Sequence, residues 1–143
     1  MRGITHLFLG LAVGLAIYHV HWFVFLVVLG ALLPDLDSPR SMLGRFFWVF
    51  NSGVTHRGFL HSLWFLLLFL CIMYYMGYMT YFFPVMIGIV SHLLLDILTP
   101  AGVSLFYPIS FKLRGVSRTG GIVDWLLLVA SIGLCFYFIY YSY

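Results

Sequence analysis

The feature that most limits what this chain can become is a set of apolar runs, each close to the length a helix needs to cross a lipid bilayer. Residues 59–76, 81–98 and 122–141 each hold at most one acidic or basic side chain, and a bilayer core of about 30 Å takes roughly 20 helical residues. Inside lipid every backbone N–H and C=O must find its partner within the protein, so runs of this kind fold as helices. None shows the period-2 alternation that a β-barrel strand requires. Composition agrees: 64% of the 143 residues are hydrophobic and 8% are charged, whereas soluble domains are about one quarter charged. The expectation is one all-α integral membrane domain spanning 1–143, with too little polar sequence for a second, soluble one.

The amino-terminal run, 7–33, admits one long tilted helix or two short ones meeting at Tyr18-His19-Val20-His21. Charge and aromatic placement favour the hairpin. All seven Lys and Arg residues (Arg2, Arg40, Arg45, Arg57, Lys112, Arg114 and Arg118) fall at the start of the chain, in 34–57 or in 100–121. A hairpin puts all of them on one face, which the positive-inside rule makes cytoplasmic. Nine of the ten tyrosines, all but Tyr107, then map to the opposite turns and the carboxyl end as an interfacial belt. The predicted bundle has five helices, at 4–18, 21–33, 58–76, 80–99 and 121–141, with the amino terminus cytoplasmic and the carboxyl terminus outside. Each hairpin arm of about 14 residues reaches only about 21 Å. Ser38-Pro39 predicts an N-cap and first turn for a short interfacial helix over 39–50. Arg2 and the apolar run after it imitate a signal peptide. With no small-x-small cleavage site, the segment is expected to stay as mature structure. Cys71 and Cys135 lie inside apolar runs and read as packing residues.

The few polar residues then collect at the helix ends on the basic face. His6 starts the first helix, Asp35 and Asp37 close the second, His56 and His61 open the third, His92 and Asp96 close the fourth, and Asp124 opens the fifth. These are all four carboxylates and four of the six histidines; His19 and His21 fall at the other face. An ionisable residue at membrane depth costs roughly 2.5–3.5 kcal/mol on insertion scales, which favours functional, paired groups there.

Spacing gives each residue two readings. His92 and Asp96, one turn apart on a single helix face, either grip an ion together or hydrogen-bond to each other. Asp35-Leu36-Asp37 is either a bridging carboxylate pair or a solvated turn after Pro34. His56 and His61 share a face only if His56 precedes the helix, a bend that Gly58 permits. His6 alone is either interfacial or a ligand. Arg57 either meets a phosphate or anchors the loop to the cytoplasmic face. Lys112, Arg114 and Arg118 suit anionic headgroups. Thr119-Gly120-Gly121 either offers N–H groups to an anion or caps the fifth helix.

Mixed imidazole and carboxylate donors favour Zn²⁺ or Mn²⁺ over Mg²⁺. Eight candidate ligands (His6, Asp35, Asp37, His56, His61, His92, Asp96 and Asp124) exceed the three or four a single catalytic zinc needs, so two ions are expected. Two such ions would activate a water molecule and clamp the oxygens of an ester or phosphoester. Asp35, Asp37, His61 and Arg57 are the candidate catalytic residues. Neither Ser62 nor Ser91 sits in a nucleophile-elbow pattern.

The stretches "LLPDLDSPRSMLG", "THRGFLHSL" and "SHLLLDILTPAGVSLFYPIS" resemble the YdjM-like family of membrane-bound metal-dependent hydrolases, from His6 to about Asp124. The resemblance implies a small helical membrane protein whose motif residues are Asp35, Asp37, His56, His61, His92 and Asp96, with His6 matching an early histidine and Asp124 an often-acidic position. It supplies no substrate. The leading expectation is a hydrolase acting at the cytoplasmic interface on a lipid or other amphiphilic ester or phosphoester, with membrane lipids as its surroundings. The alternative is a metal-ion transporter or sensor with the same ligands. Transport sites, however, usually lie at mid-membrane between repeated halves, and no repeat is visible here. A third reading is a structural protein whose polar cluster stabilises the bundle. With a net charge of +3 and no basic run, no nucleic-acid partner is expected.

Overall fold

The computed structural model describes residues 1–19, 21–38, 41, 44, 58–109 and 111–141. Among these the chain is helical, in the order α1 (Gly3–Tyr18), α2 (Phe23–Leu32), α3 (Leu63–Tyr75), α4 (Met79–Ile97) and α5 (Ile122–Tyr141), with 3-10 turns at Leu33–Asp37 and Phe59–His61. The one β-type pairing among the described residues is an isolated antiparallel bridge, Val103 with Leu113.

The amino-terminal run folds as the expected hairpin. His19 takes a positive φ of 53° just after α1, and its N–H closes the helix on the Leu15 carbonyl. The two arms approach closely because their facing residues are small. A Cβ at Gly10 would lie 2.6 Å from the Ala31 methyl, and one at Gly14 would lie 3.1 Å from Val24. On its other side α2 meets α4 backbone to backbone: a Cβ at Gly30 would strike the Val85 carbonyl, and one at Gly88 the Val27 carbonyl. Side-chain-free contact of this kind is how helices associate where lipid removes the hydrophobic drive.

Two of the predicted boundaries that shift bear on the site. The second helix stops at Leu32, not 33, because Pro34 lacks the N–H that would continue the ladder, and the chain tightens into the 3-10 turn. The third helix starts at Leu63, not 58. Ser62 caps it by accepting from the Phe65 N–H while its own hydroxyl donates to the Phe59 carbonyl. The interfacial helix expected over 39–50 lies outside the described residues, apart from Ser41 and Gly44.

The core has two parts. Ala12, Leu15, Val24 and Cys135 join α1, α2 and α5, and Val85, Ile89, Leu93 and Val103 join α4 to α2, α3 and the loop before α5. Cys71 and Cys135 are free thiols. Helix α3 buries no residue, and α5 buries only Asp124, Leu128, Ser131 and Cys135. Much of the rest of both helices is exposed and apolar, including Trp64, Leu67, Leu126, Val129 and Phe136, an apolar surface far larger than water-soluble monomers carry. Helices α4 and α5 are long and apolar enough to cross a membrane. At the end away from the site, Tyr18, Trp22, Phe23 and Tyr81 pack ring against ring.

Candidate metal centre

Four separate elements deliver the polar residues to one place. The first turn of α1 brings His6, the 3-10 turn after α2 brings Asp35 and Asp37, the turn before α3 brings His61, and the last turns of α4 bring His92 and Asp96. The shift in the start of the third helix matters here, because His61 sits in the tight turn, where it faces Asp37.

His92 is the best-determined member. Its Nδ1 lies 2.7 Å from the carbonyl oxygen of Ala31. A carbonyl can only accept, so Nδ1 carries the proton and Nε2 presents a lone pair. That Nε2 is buried with no hydrogen-bond partner among the described residues. Instead it faces two carboxylates, Asp35 Oδ1 at 3.9 Å and Asp96 Oδ2 at 3.8 Å. These separations are too long for hydrogen bonds and of the order spanned by ligands sharing one ion at about 2.0–2.2 Å.

Asp96 presents its two oxygens in different directions. Oδ1 lies 3.3 Å from His6 Nε2 and 2.7 Å from the amino group of Met1. Oδ2 lies 3.8 Å from both His61 Nε2 and His92 Nε2. Behind the cluster, Asp37 Oδ2 sits 3.3 Å from His61 Nδ1, in the way a carboxylate orients a ligating imidazole. The rings of His6 and His92 stack 3.8 Å apart, and the Nδ1 of His6 is a second buried nitrogen without a hydrogen-bond partner among the described residues. Two overlapping trios, His6-Asp35-His92 and His61-His92-Asp96, place their donor atoms within 4.8 Å of one another. The donors are buried except Asp35, whose side chain is 15% exposed.

These residues fit a divalent cation. Three carboxylates gathered in a buried pocket repel one another and lose hydration, a cost that cations and hydrogen bonds must offset. The imidazole and carboxylate donor set is one that Zn²⁺ and Mn²⁺ accept.

Asp124, expected among the ligands, lies apart from both trios. Its carboxylate is taken up elsewhere: it accepts from Thr5 Oγ1 at 2.7 Å, from Arg2 Nε at 3.0 Å and from the Gly120 N–H at 2.7 Å. Arg2 in turn lies over the Trp125 ring, 3.9 Å from its centroid. The first turn of α1 therefore divides its polar groups between two carboxylates, Met1 and His6 on Asp96, Arg2 and Thr5 on Asp124. The Asp124 carboxylate, in the first turn of α5, reaches back to accept from the Gly120 N–H, which caps the helix start and takes up that N–H. His56 and Arg57 lie outside the described residues. His19 and His21 are exposed at the far end.

Sequence reasoning missed two contributors. One is the Ala31 carbonyl, which no side-chain pattern reveals. The other is Thr99, buried beside the site, whose hydroxyl donates to the Asp96 carbonyl at 2.8 Å; its place just before Pro100 in the quoted "LTPAG" was the available signal.

A helical bundle with an apolar exterior, two helices of membrane-crossing length and a buried His/Asp centre at one end defines a membrane protein with a candidate metal site. Comparison with known proteins narrows this. The model of the YdjM inner membrane protein family matches residues 1–142. The inner membrane protein YdjM of Escherichia coli (strain K12) is 38% identical over 97 residues, covering 61% of this chain and 50% of that protein. The Shigella flexneri protein of the same name gives the same figures. The uncharacterized protein YvsG of Bacillus subtilis (strain 168) is 32% identical over 151 aligned positions, covering 96% of this chain and 94% of YvsG. The match to the two YdjM relatives spans about half their length. No solved structure matches. The chain belongs to the YdjM family of inner membrane proteins.

Proposed function

We propose that this protein is a multi-pass, metal-dependent hydrolase of the inner membrane that cleaves an ester or phosphoester of a lipid or other amphiphile from the cytoplasmic side. The amino terminus is cytoplasmic and the carboxyl terminus outside, in keeping with Arg2 at the start of α1 and Lys112, Arg114 and Arg118 in the connection after α4. The observation that carries the reading is His92: one nitrogen is locked on Ala31, and the other is buried, without a hydrogen-bond partner among the described residues, and aimed between two carboxylates.

Bound divalent ions, Zn²⁺ or Mn²⁺, would supply water activation and polarisation of the scissile ester. The chain does the rest. His92 has one nitrogen to give, since Nδ1 is spent on Ala31, so it serves a single ion. Asp96, with one oxygen toward His6 and the other toward His61 and His92, is the residue suited to bridge two. The Asp37 carboxylate, 3.3 Å from His61 Nδ1, favours the proton on that nitrogen and so leaves Nε2 toward the centre. Asp35, the most exposed ligand, lies where a substrate enters, and Arg57 is assigned to the phosphate.

The test is hydrolysis of a phospholipid panel by the purified protein, stripped by chelation and then resupplied with Zn²⁺ or Mn²⁺. The proposal expects turnover that disappears on stripping, returns on resupply and is absent in His92→Ala. Metal uptake into vesicles without turnover would favour a transporter instead.

A further inference from the structure

The connection between α4 and α5 supplies no residue to either trio of the metal centre. It joins the ends of the two helices of membrane-crossing length, so it lies at the level of the lipid headgroups. Backbone hydrogen bonds tie it together. Val103 and Leu113 pair through two backbone hydrogen bonds of 2.9 and 3.0 Å, and the Gly115 and Ser117 N–H groups donate to the carbonyls of Thr99 and Leu98. Val103 and Ser104 are buried inward. From 112 to 118, through the bridge at Leu113 and a bend at Val116, exposure alternates along the chain. Lys112, Arg114, Val116 and Arg118 are exposed, while Leu113, Gly115 and Ser117 are half-buried.

This outward face combines two properties that water alone does not favour together. Phe106, Ile109 and Phe111 are exposed, and Val116, between two arginines, is 94% exposed. Three cations accompany them, and the sequence holds no Asp or Glu between Asp96 and Asp124. Apolar side chains beside unneutralised positive charge, at headgroup depth, match a surface of anionic phosphates over acyl chains.

We propose that residues 103–109 and 111–118 form a docking surface for anionic phospholipid, with Lys112, Arg114 and Arg118 on the phosphates and Phe106, Ile109, Phe111 and Val116 in the acyl boundary. The proposal rests on the membrane placement of α4 and α5 and not on the metal reading. It links the two sites mechanically. Thr99 accepts from both Gly102 and Gly115 while donating to the Asp96 carbonyl, so the surface holds docked headgroups at a fixed height relative to the metal centre.

The experiment uses the full chain in nanodiscs of phosphatidylcholine, with or without phosphatidylglycerol. A Cys71→Ser, Val116→Cys variant carries an environment-sensitive fluorophore at 116, and quenching by neutral acrylamide reads its exposure to water. The surface is expected to be protected in the anionic discs and open in the zwitterionic ones. That preference should fall roughly fivefold for each of K112Q, R114Q and R118Q, and should weaken with added salt. The salt titration needs no charge substitution, so a poorly folding variant does not spoil the test. Equal quenching in both disc types, or protection that ignores salt, would overturn the proposal. Protection in neutral detergent equal to that in the anionic discs would overturn it, since no anionic phosphate is then present.

Discussion

His92 and Ala31 belong to different helices, and the 2.7 Å hydrogen bond between them sets which nitrogen of the imidazole is available to an ion. The bond exists because α2 and α4 touch backbone to backbone at Gly30 and Gly88. Helix packing and ligand chemistry are therefore one problem in this protein.

Gly88→Ala tests that coupling. The added methyl meets the Val27 carbonyl and the Ala31 N–H, neither of which can move without moving α2. A loss of roughly 1–3 kcal/mol is expected, read as a lower midpoint in thermal unfolding. Metal affinity should fall with it, although no ligand has changed.

Asp37→Asn tests the outer carboxylate. The amide keeps the size of the side chain but no longer fixes His61 through a charged acceptor at Nδ1. Affinity for Zn²⁺, measured by competition with a chelator of known strength, should drop roughly 10–100-fold. Full loading should still be reached at saturating metal. An affinity equal to wild type would remove Asp37 from the site.

Asp124→Asn separates the two carboxylate systems. It weakens the hold on Arg2 and Thr5, at a cost of roughly 1.5–3 kcal/mol for hydrogen bonds to a charged group, seen as a lower midpoint in denaturant. Metal content per protein should remain that of wild type. If Asp124→Asn loses metal while staying folded, the carboxylate is a ligand after all.

Much of the architecture is legible in the sequence because a bilayer leaves few options. The apolar runs, the basic residues on one face and the tyrosines on the other imply the hairpin, and they imply that His6, Asp35, Asp37, His61, His92 and Asp96 meet at one end, which is where the structure brings them. What escaped depends on contacts between residues far apart in the chain. An aspartate at a helix start reads equally as ligand or cap; the partners of Asp124 are Thr5 and Arg2, 119 and 122 residues away, and spacing does not reveal them. The start of α3 was misjudged because the apolar run continues through Ser62, while the serine's cap and the turn before it decide where the helix begins. Ala31 could not be found by any side-chain pattern, since it contributes only its carbonyl.

The central claim is that His92 and its neighbours hold divalent metal, and elemental analysis of purified protein tests it most directly. Wild type, His92→Ala, Asp96→Ala and Asp124→Asn would be loaded with Zn²⁺ or Mn²⁺, desalted and measured side by side. Wild type and Asp124→Asn should retain one or two ions per chain, and His92→Ala and Asp96→Ala should retain none. Metal-free wild type, or a His92→Ala protein as fully loaded as its parent, would contradict the account.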